Sequence, residues 1–525
     1  MVRSQLLAAI LLCSPFLSPP AARCAITVQI GQNFTASTLF VDIFETPPDS
    51  DGAIGPNHFV QFINGRFSVF DKANGTKVLD LTDAAFWNNA GVSTAGFNIS
   101  DPRIIYDPLS QRWFAAQIDF NASSLRNNRF LVAVSVTQDP TGVWKGVAFQ
   151  ADPGGNFADF PSLGLDANGV YLGANMFDSS ENLLGVLLTS IPKADLLQAT
   201  PTAIRRTTSG LMSIGSRGFS LQPAINFSRT HAAEPVLAVE NDGTDFLTHT
   251  ILKSFLVVGA TNAGATFTTN TDIPVPAYNV PLDPPQPNGR SNLADGDLRM
   301  GASVYQVGDI LYAVHGTQLN SRAAIRWYKI RAGDFSVLQS GTISDTNLHL
   351  FYPSIAANAS GYAVIGFNGC SANTFVSSYA VAGETINGTT SFGSLILLKA
   401  GVANYERLSS GESRWGDYST TSVDPVIPNH FWTIQEYVSS ANIWSTQVTE
   451  LQICPDLSSL QIALAGTNVI VAWPTNAAGY TLQTATNLLP GAFWSPVTNP
   501  ITMCGQQNTI TVSPSEPARF YRLTQ

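Results

Sequence analysis

The sequence is poor in charged residues. Only 12% of its 525 residues are Asp, Glu, Lys or Arg, about half of the ~25% usual in soluble domains. Its 27 basic and 37 acidic residues give a net charge of −10, and Lys and Arg form no run. Nucleic acids and anionic membranes are bound through basic patches, so the composition disfavours both as partners.

Cysteine and histidine are also scarce, at five and six residues. No CxxC, HExxH or HxH spacing occurs, so a zinc ribbon, a thioredoxin-like site and a transition-metal site are unsupported. GxSxG, GxxxxGK[ST] and a Rossmann fingerprint are absent too. Two oxygen-rich segments, 152–156 and 178–182, leave Ca²⁺ open, although they lack EF-hand spacing and a solvated turn is favoured. We predict no other cofactor and no metal site.

The sequence has one apolar run that could belong to a targeting signal, and it lies at the N-terminus. Arg3 precedes an apolar run at 6–12, and proline and small residues follow it. This order is typical of a secretory signal peptide, and the run is too short to span a bilayer. We predict cleavage after Cys24, with Ala22 as the alternative. Residues 1–24 are then a signal peptide, and the mature protein is secreted, extracellular and not inserted in a membrane.

Glycine and proline are plentiful, at 41 and 31 residues, which indicates many turns and an all-β fold. A repeat recurs along the chain, most clearly as Asp159-Phe-Pro-Ser-Leu-Gly-Leu-Asp166 followed by an Asn-Gly turn and the apolar strand Val170-Tyr-Leu-Gly-Ala174. Asn-Gly supplies the positive φ that tight hairpins need. The copies begin at Pro48, Ser100, Asp159, Phe219, Arg299, Phe351 and Asp417.

Each copy reads as a β-meander of about four strands, which is the blade of a β-propeller. We therefore predict a seven-bladed propeller over residues 25–453. Six blades remain open because the first and fourth copies are weak, and stacked sandwiches are the less favoured alternative. The strand candidate at 25–40 lies outside every copy, so we expect it to supply the outer strand of the last blade and close the ring.

The pattern changes after residue 453. Short strands separated by turns over 454–525 predict a small C-terminal β-sandwich, with Trp473, Trp494 and Tyr521 as candidate core residues. The layout resembles fibronectin-type modules, which implies attachment, spacing or binding rather than chemistry. Cys454 and Cys504 could form a disulfide in an oxidising compartment, and two buried thiols are the alternative.

Several motifs of the repeat region resemble a family of secreted bacterial β-propeller proteins. They are Gly55-Pro-Asn-His-Phe-Val-Gln61, Asp101-Pro-Arg-Ile-Ile-Tyr-Asp107, Ala133-Val-Ser-Val-Thr-Gln-Asp-Pro-Thr-Gly142 and Arg414-Trp-Gly-Asp-Tyr-Ser419. The resemblance covers roughly residues 45 to 450 in order. It implies secretion and the propeller fold. The family has no assigned activity, so the resemblance implies no catalytic residues.

Propeller ligands bind at a mouth of the central channel, where the starts of the repeats would gather. Polar residues concentrate there in a chain with few charges, and Asp297 is one of those nearby. Asp residues at these positions also cap turns, and Asp–Arg pairs also bridge blades, which is the simpler interpretation of each. The candidate ligand-binding residues are Asp51, Asp101, Arg103, Asp159, Arg299, Arg414, Asp417 and Tyr418.

Two functions fit these observations. The favoured one is a monomeric, non-catalytic extracellular protein that binds a glycan or another cell-surface ligand at the propeller mouth. The alternative is a polysaccharide-active glycoside hydrolase or lyase that uses axial carboxylates as acid and base. Carboxylates converging in an open pocket would favour the enzyme, whereas residues paired into bridges between blades would favour the binding protein.

Overall fold

The protein is all-β, as predicted. Its structure, a computed structural model, describes residues 26–121, 125, 128–230, 233–241, 247–294, 298–409, 412–455, 460–465, 467–475, 480–489, 492–505, 507–513 and 519–524. The predicted signal peptide and Asp297 lie outside these residues. None of the helices within them is long and apolar enough to cross a membrane. They are the short helices Asp83–Asn89, Lys193–Leu196 and Ile214–Arg217 and the 3₁₀ turn Pro287–Gly289.

Seven antiparallel meanders follow one another along the chain, and each begins at a copy of the repeat. The first comprises Asp51–Ile54, His58–Ile63, Arg66–Asp71 and Lys77–Thr82. The second comprises Asn98–Asp107, Arg112–Phe120, Arg129–Ser135 and Trp144–Gln150. The third comprises Phe157–Leu165, Gly169–Phe177, Leu183–Pro192 and Thr207–Thr208.

The remaining four meanders have the same order with small additions. The fourth comprises Phe219–Asn226, Ala233–Val239, His249–Val258, Thr266–Phe267 and Thr271–Tyr278. The fifth comprises Val304–Val307, Ile310–Leu319, Arg322–Arg331 and Val337–Ile343. The sixth comprises His349–Ala357, Tyr362–Ser371, Thr374–Ile386, Thr389–Phe392 and Ile396–Lys399. The seventh comprises Thr420–Val423, His430–Ser440, Ile443–Pro455 and Ile26–Thr38.

The meanders form a closed, propeller-like ring. The first strand of each meander contacts the first strand of the next, and that of the seventh contacts that of the first. The strand Ile26–Thr38 pairs antiparallel with Ile443–Pro455, from Ile26 opposite Pro455 to Thr38 opposite Ser445. The N-terminal strand thus completes the last meander, as the sequence predicted. Its pairing covers a sheet edge that would otherwise be free to associate.

The last residue of the repeat shapes the turn between the first two strands of a meander. Asp107 Oδ1 accepts from the amide of Leu109, and Asp166 Oδ1 accepts from the amides of Asn168 and Gly169. Side-chain oxygens of Asn226, Asn358 and Asp424 accept in the same way. A short side chain that bonds the backbone two residues on favours such turns. The Asp or Asn at this position is therefore a turn cap.

Two of these carboxylates also join neighbouring meanders through buried ion pairs. Lys193 Nζ of the third meander lies 2.7 Å from Asp107 Oδ2 of the second. Lys72 Nζ of the first meander lies 2.6 Å from Asp424 Oδ2 of the seventh, beside the point of ring closure. The Asp424 side chain is fully buried and also accepts a bond from the indole of Trp432. A buried carboxylate is costly unless it is paired, so each lysine stabilises the fold by neutralising its aspartate.

Residues beyond the ring form two further sheets. One contains Gln461–Ala465, Asn468–Pro474, Gln507–Val512 and Thr502–Cys504, and the other contains Ser495–Pro496, Thr481–Ala485 and Phe520–Thr524. Trp473 is buried in the core between them, and Tyr521 packs against it. Trp494 does not belong to that core, contrary to expectation. It is partly exposed, with the Arg522 guanidinium 4.3 Å from its ring centre.

A disulfide joins Cys454 and Cys504, with Cα atoms 5.8 Å apart. Cys454 lies in the final strand of the seventh meander, which extends to Pro455, just past the boundary expected at residue 453. The bridge therefore ties the C-terminal sheets to the end of the ring. Because the cross-link closes a loop with a sequence separation of 50 residues, it restricts the unfolded chain.

The Lys72–Asp424 pair gives a test of ring closure. Lys72→Met leaves the buried Asp424 without its cation, so we expect the free energy of unfolding to fall by about 3–5 kcal/mol. Lys77→Met is the matched control, because Lys77 pairs with Asp42 at a site where both side chains are partly exposed. Lys77→Met should lower the free energy of unfolding by no more than about 1 kcal/mol. Urea denaturation measures both, and equal losses would contradict a structural role for the closing pair.

Candidate functional site

The repeat places a backbone irregularity at the start of the first strand in five meanders. The second residue of the repeat has a positive φ of 48° to 60° there, at Asp49, Asp101, Phe160, Ser220 and Tyr352. In four of the five, the pairing with the second strand shifts register across this residue. Bulges of this kind redirect side chains, and residues other than glycine rarely hold such a conformation without support from their surroundings.

That support comes from hydrogen bonds between neighbouring meanders. The amide of Asp101 donates to Asn64 Oδ1 of the first meander at 2.8 Å. The amide of Phe160 donates to Asp101 Oδ2 of the second at 3.0 Å, and the amide of Ser220 donates to Asn175 Oδ1 of the third. Three of the five bulges are therefore held by a side chain from the preceding meander, and the bulged residues are brought to one end of the ring axis.

Arg103 crosses the axis beneath these bulges. Its Nε donates to the carbonyl of Pro161 at 2.8 Å and its Nη1 to the carbonyl of Gly301 at 3.1 Å. Its Nη1 also lies 3.7 Å from Asp51 Oδ2, and its guanidinium carbon lies 3.4 Å from the centre of the Tyr418 ring. Arg103 comes from the second meander, and these partners come from or lead into the first, third, fifth and seventh. One buried side chain thus links five of the seven meanders.

Four other predicted residues form a partly exposed rim above Arg103, namely Asp159, Arg299, Arg414 and Asp417. Arg299 Nη2 lies 3.7 Å from Asp417 Oδ1, and Arg414 Nη2 contacts the same oxygen. The Arg299 guanidinium lies 4.2 Å from the centre of the Phe160 ring. Two guanidinium groups from different meanders therefore meet on one carboxylate at the mouth of the ring.

Arg414 is placed by a small sheet formed by the segments between meanders. The strand Glu412–Arg414 pairs parallel with Leu293–Ala294 and antiparallel with Leu408–Ser409. The Tyr352 hydroxyl donates to the carbonyl of Ala294 at 2.8 Å, which joins this sheet to the sixth meander. Arg414 Nη1 donates to the carbonyl of Gly416, so the side chain is turned back toward Asp417.

Buried acidic groups surround Arg103 and lie below the rim. Thr420 Oγ1 donates to Asp51 Oδ1 at 2.8 Å, and Ser100 Oγ donates to Asp101 Oδ1 at 2.6 Å. The structure adds two acids to the predicted set. Asp49 accepts from Asn64 Nδ2 at 2.7 Å, and Glu436 accepts from Ser50 Oγ at 2.9 Å. Asp49, Asp51, Asp101 and Glu436 are all at least nine-tenths buried.

Most of these carboxyl groups hold their protons to unusually high pH. Burial raises the pKa of Asp51 to about 6 and that of Glu436 to about 8. Burial, with the nearby charges of Asp101 and Asp417, raises the pKa of Asp159 to about 7. Burial also raises the pKa values of Asp49 and Asp101.

Asp417 is the exception within the cluster. Burial opposes its ionisation, but the guanidinium groups of Arg414 and Arg299 outweigh burial and hold its pKa below the ordinary value. Near neutral pH the mouth therefore contains three guanidinium groups, an ionised Asp417 and several carboxyls that are wholly or partly protonated. The acidic residues outnumber the basic ones, yet the rim is not strongly negative.

Four buried polar atoms of the cluster have no hydrogen-bond partner among the described residues. They are Asp49 Oδ1, Arg103 Nη2, Asp417 Oδ1 and Glu436 Oε2. Of these, Asp417 Oδ1 is in ionic contact with the Arg299 and Arg414 guanidinium groups. Buried polar groups are nearly always paired in folded proteins, so such atoms need a specific explanation. The described residues contain no group of His, Cys, Asp and Glu arranged to hold a metal ion.

All eight predicted site residues lie in this axial cluster. Sequence reasoning missed Asn64, Phe160 and Glu436 as members. Glu436 had a signal, because it is the lone acid in the otherwise uncharged run Phe431-Trp-Thr-Ile-Gln-Glu-Tyr437. The two segments considered for Ca²⁺ lie elsewhere. Asp152 and Asp178 accept hydrogen bonds from Asn156 and Asn182 within their own turns.

Comparisons with known proteins give structural similarities only. No family model and no curated protein matches the chain. Solved structures similar to it include Drosophila Semaphorin 1b extracellular domains 1–2, at 8% identity, 81% of this chain, 88% of that chain and a TM-score of 0.39. Polysaccharide lyase Uly1 is 10% identical over 78% of this chain and 90% of its own, with a TM-score of 0.39. An exo-β-1,3-galactanase from Phanerochaete chrysosporium is 13% identical over 80% of this chain and 99% of its own, with a TM-score of 0.30. These values assign no activity to this chain.

The raised pKa values predict how stability depends on pH. Between about pH 4 and pH 8 the folded protein keeps protons on Asp51, Asp159 and Glu436 that the unfolded chain has lost, so the free energy of unfolding falls as pH rises. Glu436→Gln mimics the protonated form and should make this fall shallower, with the largest gain in stability above about pH 8.

Denaturant unfolding at a series of pH values measures the slope. Asp309→Asn is the control, because the Asp309 side chain is 74% exposed. The control should leave the slope unchanged. A slope that is the same in wild type and Glu436→Gln would show that Glu436 does not hold its proton in the folded protein.

Proposed function

We propose that this chain is a secreted, non-catalytic binding protein whose seven meanders are the blades of a β-propeller and whose axial mouth holds a carboxylate-bearing glycan. The C-terminal sheets are then a small β-sandwich that tethers or spaces the propeller. The observation that carries the proposal is the meeting of the Arg299 and Arg414 guanidinium groups on Asp417 at a partly exposed rim.

Charge favours an anionic ligand at this rim. Arginine stays protonated at all relevant pH values. Of the surrounding carboxyls, Asp417 alone has a lowered pKa, whereas the pKa of Asp159 is raised to about 7 and that of Glu436 to about 8. The positive charge of the arginines is therefore only partly neutralised. A planar carboxylate matches the fork of donors on a guanidinium group and can accept two bonds from it.

The rest of the rim suits sugar hydroxyls. A hydroxyl both donates and accepts hydrogen bonds, so it can pair with a carboxyl group in either protonation state. Asp159 is partly exposed beside the arginines and can act as donor or acceptor near neutral pH. The Phe160 ring beneath Arg299 holds the guanidinium plane in place, which reduces the entropy lost on binding.

Pairing between meanders supports binding over catalysis. The buried acids are committed to fixed partners: Asp51 to Thr420 and Arg103, Asp101 to Ser100 and the amide of Phe160. A general acid or nucleophile must reach the reacting atom of its substrate, and these groups instead support the axis. Among the described acids of the cluster, Asp159 and Asp417 are the two that are partly exposed.

A polysaccharide-active hydrolase or lyase is the second candidate, and one observation favours it. Asp159 has a raised pKa and Asp417 a lowered one, and the two influence each other electrostatically. Carboxyl groups whose pKa values are pushed apart are the usual sign of an acid and base pair. In this case Asp159 would protonate the leaving oxygen and Asp417 would act as base or nucleophile.

Secretion, a monomeric state and membership of the secreted bacterial propeller family are parts of the same proposal. The signal-peptide pattern at residues 1–24 and the Cys454–Cys504 disulfide support an oxidising compartment. Expression of the full chain in a secreting host, followed by mass determination of the released protein, tests this part. A mass starting at residue 25 or 23 is expected, and retention of the uncleaved chain would contradict it.

The binding proposal predicts which glycans are captured and by which residues. On a glycan array, the mature protein should bind glycans with uronate or other carboxylate groups and ignore their neutral counterparts. Arg299→Gln should weaken binding by about ten-fold or more, the usual effect of losing one charged hydrogen bond. Arg331→Gln is the control, because Arg331 is an exposed arginine of the fifth meander that pairs with Asp334.

The pH dependence separates binding from catalysis. Affinity for the carboxylate glycan should fall as pH rises from about 6 to about 9, because Asp159 and Glu436 become negative in that range. A polysaccharide-degradation screen, with and without chelator, should yield no product from wild-type protein. Release of oligosaccharides that disappears in Asp159→Asn or Asp417→Asn would establish the enzyme instead.

A further inference from the structure

The opposite end of the ring axis contains a second cavity, of about 390 Å³. The charged cluster lies where the first strands of the meanders begin, whereas this cavity lies where they end. Six of the seven first strands line it, through residues such as Ala53, Ile105, Ile225, Tyr305, Ala357 and Val423. Its size lies within the range of about 300–1,000 Å³ that is typical of small-molecule sites.

The lining is apolar and contains aromatic rings. Phe227 and Tyr305 pack edge to face with ring centres 6.0 Å apart, and Tyr106 contributes a third ring. Among the described residues that line the cavity, Asp424 is the one with a charge, and its carboxylate is fully buried against Lys72. A charged ligand would lose its hydration here without gaining a counter-ion, so the cavity selects an uncharged one.

Most polar side chains of the lining are already committed. Asn358 donates to the carbonyl of Pro428 and accepts from the amides of Ser360 and Tyr362. Thr420 donates to Asp51, and the Ser422 hydroxyl accepts from the amide of Ile54.

Gln306 is different. Its Nε2 donates to the carbonyl of Gly308 at 2.9 Å, which fixes the orientation of the amide. Its Oε1 is buried and receives no hydrogen bond from any group in the described parts of the chain. Gln306 lines the cavity and is only 6% exposed, so this acceptor is buried beside the cavity without a protein partner among the described residues.

We propose that this cavity binds a compact, uncharged aromatic molecule with one N–H or O–H group, which donates to Gln306 Oε1. Aromatic rings of the ligand pack against Phe227 and Tyr305 in the offset or edge-to-face geometries that such rings favour. The single donor satisfies the buried, unpaired oxygen of Gln306. The site is separate from the charged mouth, so this inference does not depend on the function proposed there.

Indole and indene are matched probes for this site, because they have the same shape and only indole has an N–H donor. Calorimetric titration of the mature protein should show one equivalent of indole bound. Indole should bind about five-fold more tightly than indene, which is the usual contribution of one net hydrogen bond. Gln306→Met keeps the volume and removes the acceptor, so it should abolish this preference.

Two blocking variants test the location. Val307→Trp and Ser228→Trp narrow the cavity from the fifth and fourth meanders, at positions that are only partly buried and therefore tolerant of change. Each variant should weaken the binding of both probes by about ten-fold or more, because the added ring overpacks the cavity. Val258→Trp, which adds the same ring at a partly exposed position outside the cavity, is the control and should change nothing.

The outcomes discriminate between the parts of the inference. No binding of either probe, or binding that both Trp variants leave unchanged, would overturn the site. Binding that the Trp variants block, with an indole preference that survives Gln306→Met, would overturn the role of Gln306. The Arg299→Gln variant should bind indole as wild type does, whatever its effect on glycan binding. The proposals for the two sites can therefore be tested separately.

Discussion

The guanidinium group of Arg103 is the contact on which the axis of this protein depends. It is buried at the centre of the ring, stacked on Tyr418 at 3.4 Å and bonded to the carbonyls of Pro161 and Gly301. A buried cation is costly unless hydrogen bonds and a counter-charge offset its lost hydration. Nε and Nη1 are bonded and Asp51 supplies the charge, while Nη2 has no hydrogen-bond partner among the described residues. Since its partners lie in four other meanders, the ring and the arginine stabilise each other.

This arrangement divides the channel into two parts with opposite chemistry. On one side, bulged residues such as Asp49 and Asp101 bring acids and arginines together, and the rim of Arg299, Arg414 and Asp417 is partly exposed. On the other side the first strands end among apolar side chains. The ionic mouth suits a polar, anionic ligand, and the apolar end suits an uncharged one.

The sequence predicted the features carried by the eight-residue repeat and missed those that lie outside it. Asp107, Asp166 and Asp424 recur at one position of the repeat because every hairpin needs a turn cap there, so the pattern reveals the meanders. The pairing of Ile26–Thr38 with the last meander followed from an unassigned strand and an open edge. Asn64 and Asn175 support neighbouring bulges in the same way, but both lie near the end of the apolar second strand and outside the eight-residue repeat. Glu436 of the seventh meander meets Ser50 of the first because ring closure brings these two meanders together.

The unfolding free energy of Arg103→Met, compared with that of Arg331→Met at the exposed edge of the fifth meander, shows whether Arg103 holds the axis together. We expect Arg103→Met to lower it by about 3–5 kcal/mol, because Asp51 is left buried without its cation. Arg331→Met should cost no more than about 1 kcal/mol. If the two variants unfold with the same free energy as wild type, Arg103 does not hold the axis, and the division of the channel into two sites loses its physical basis.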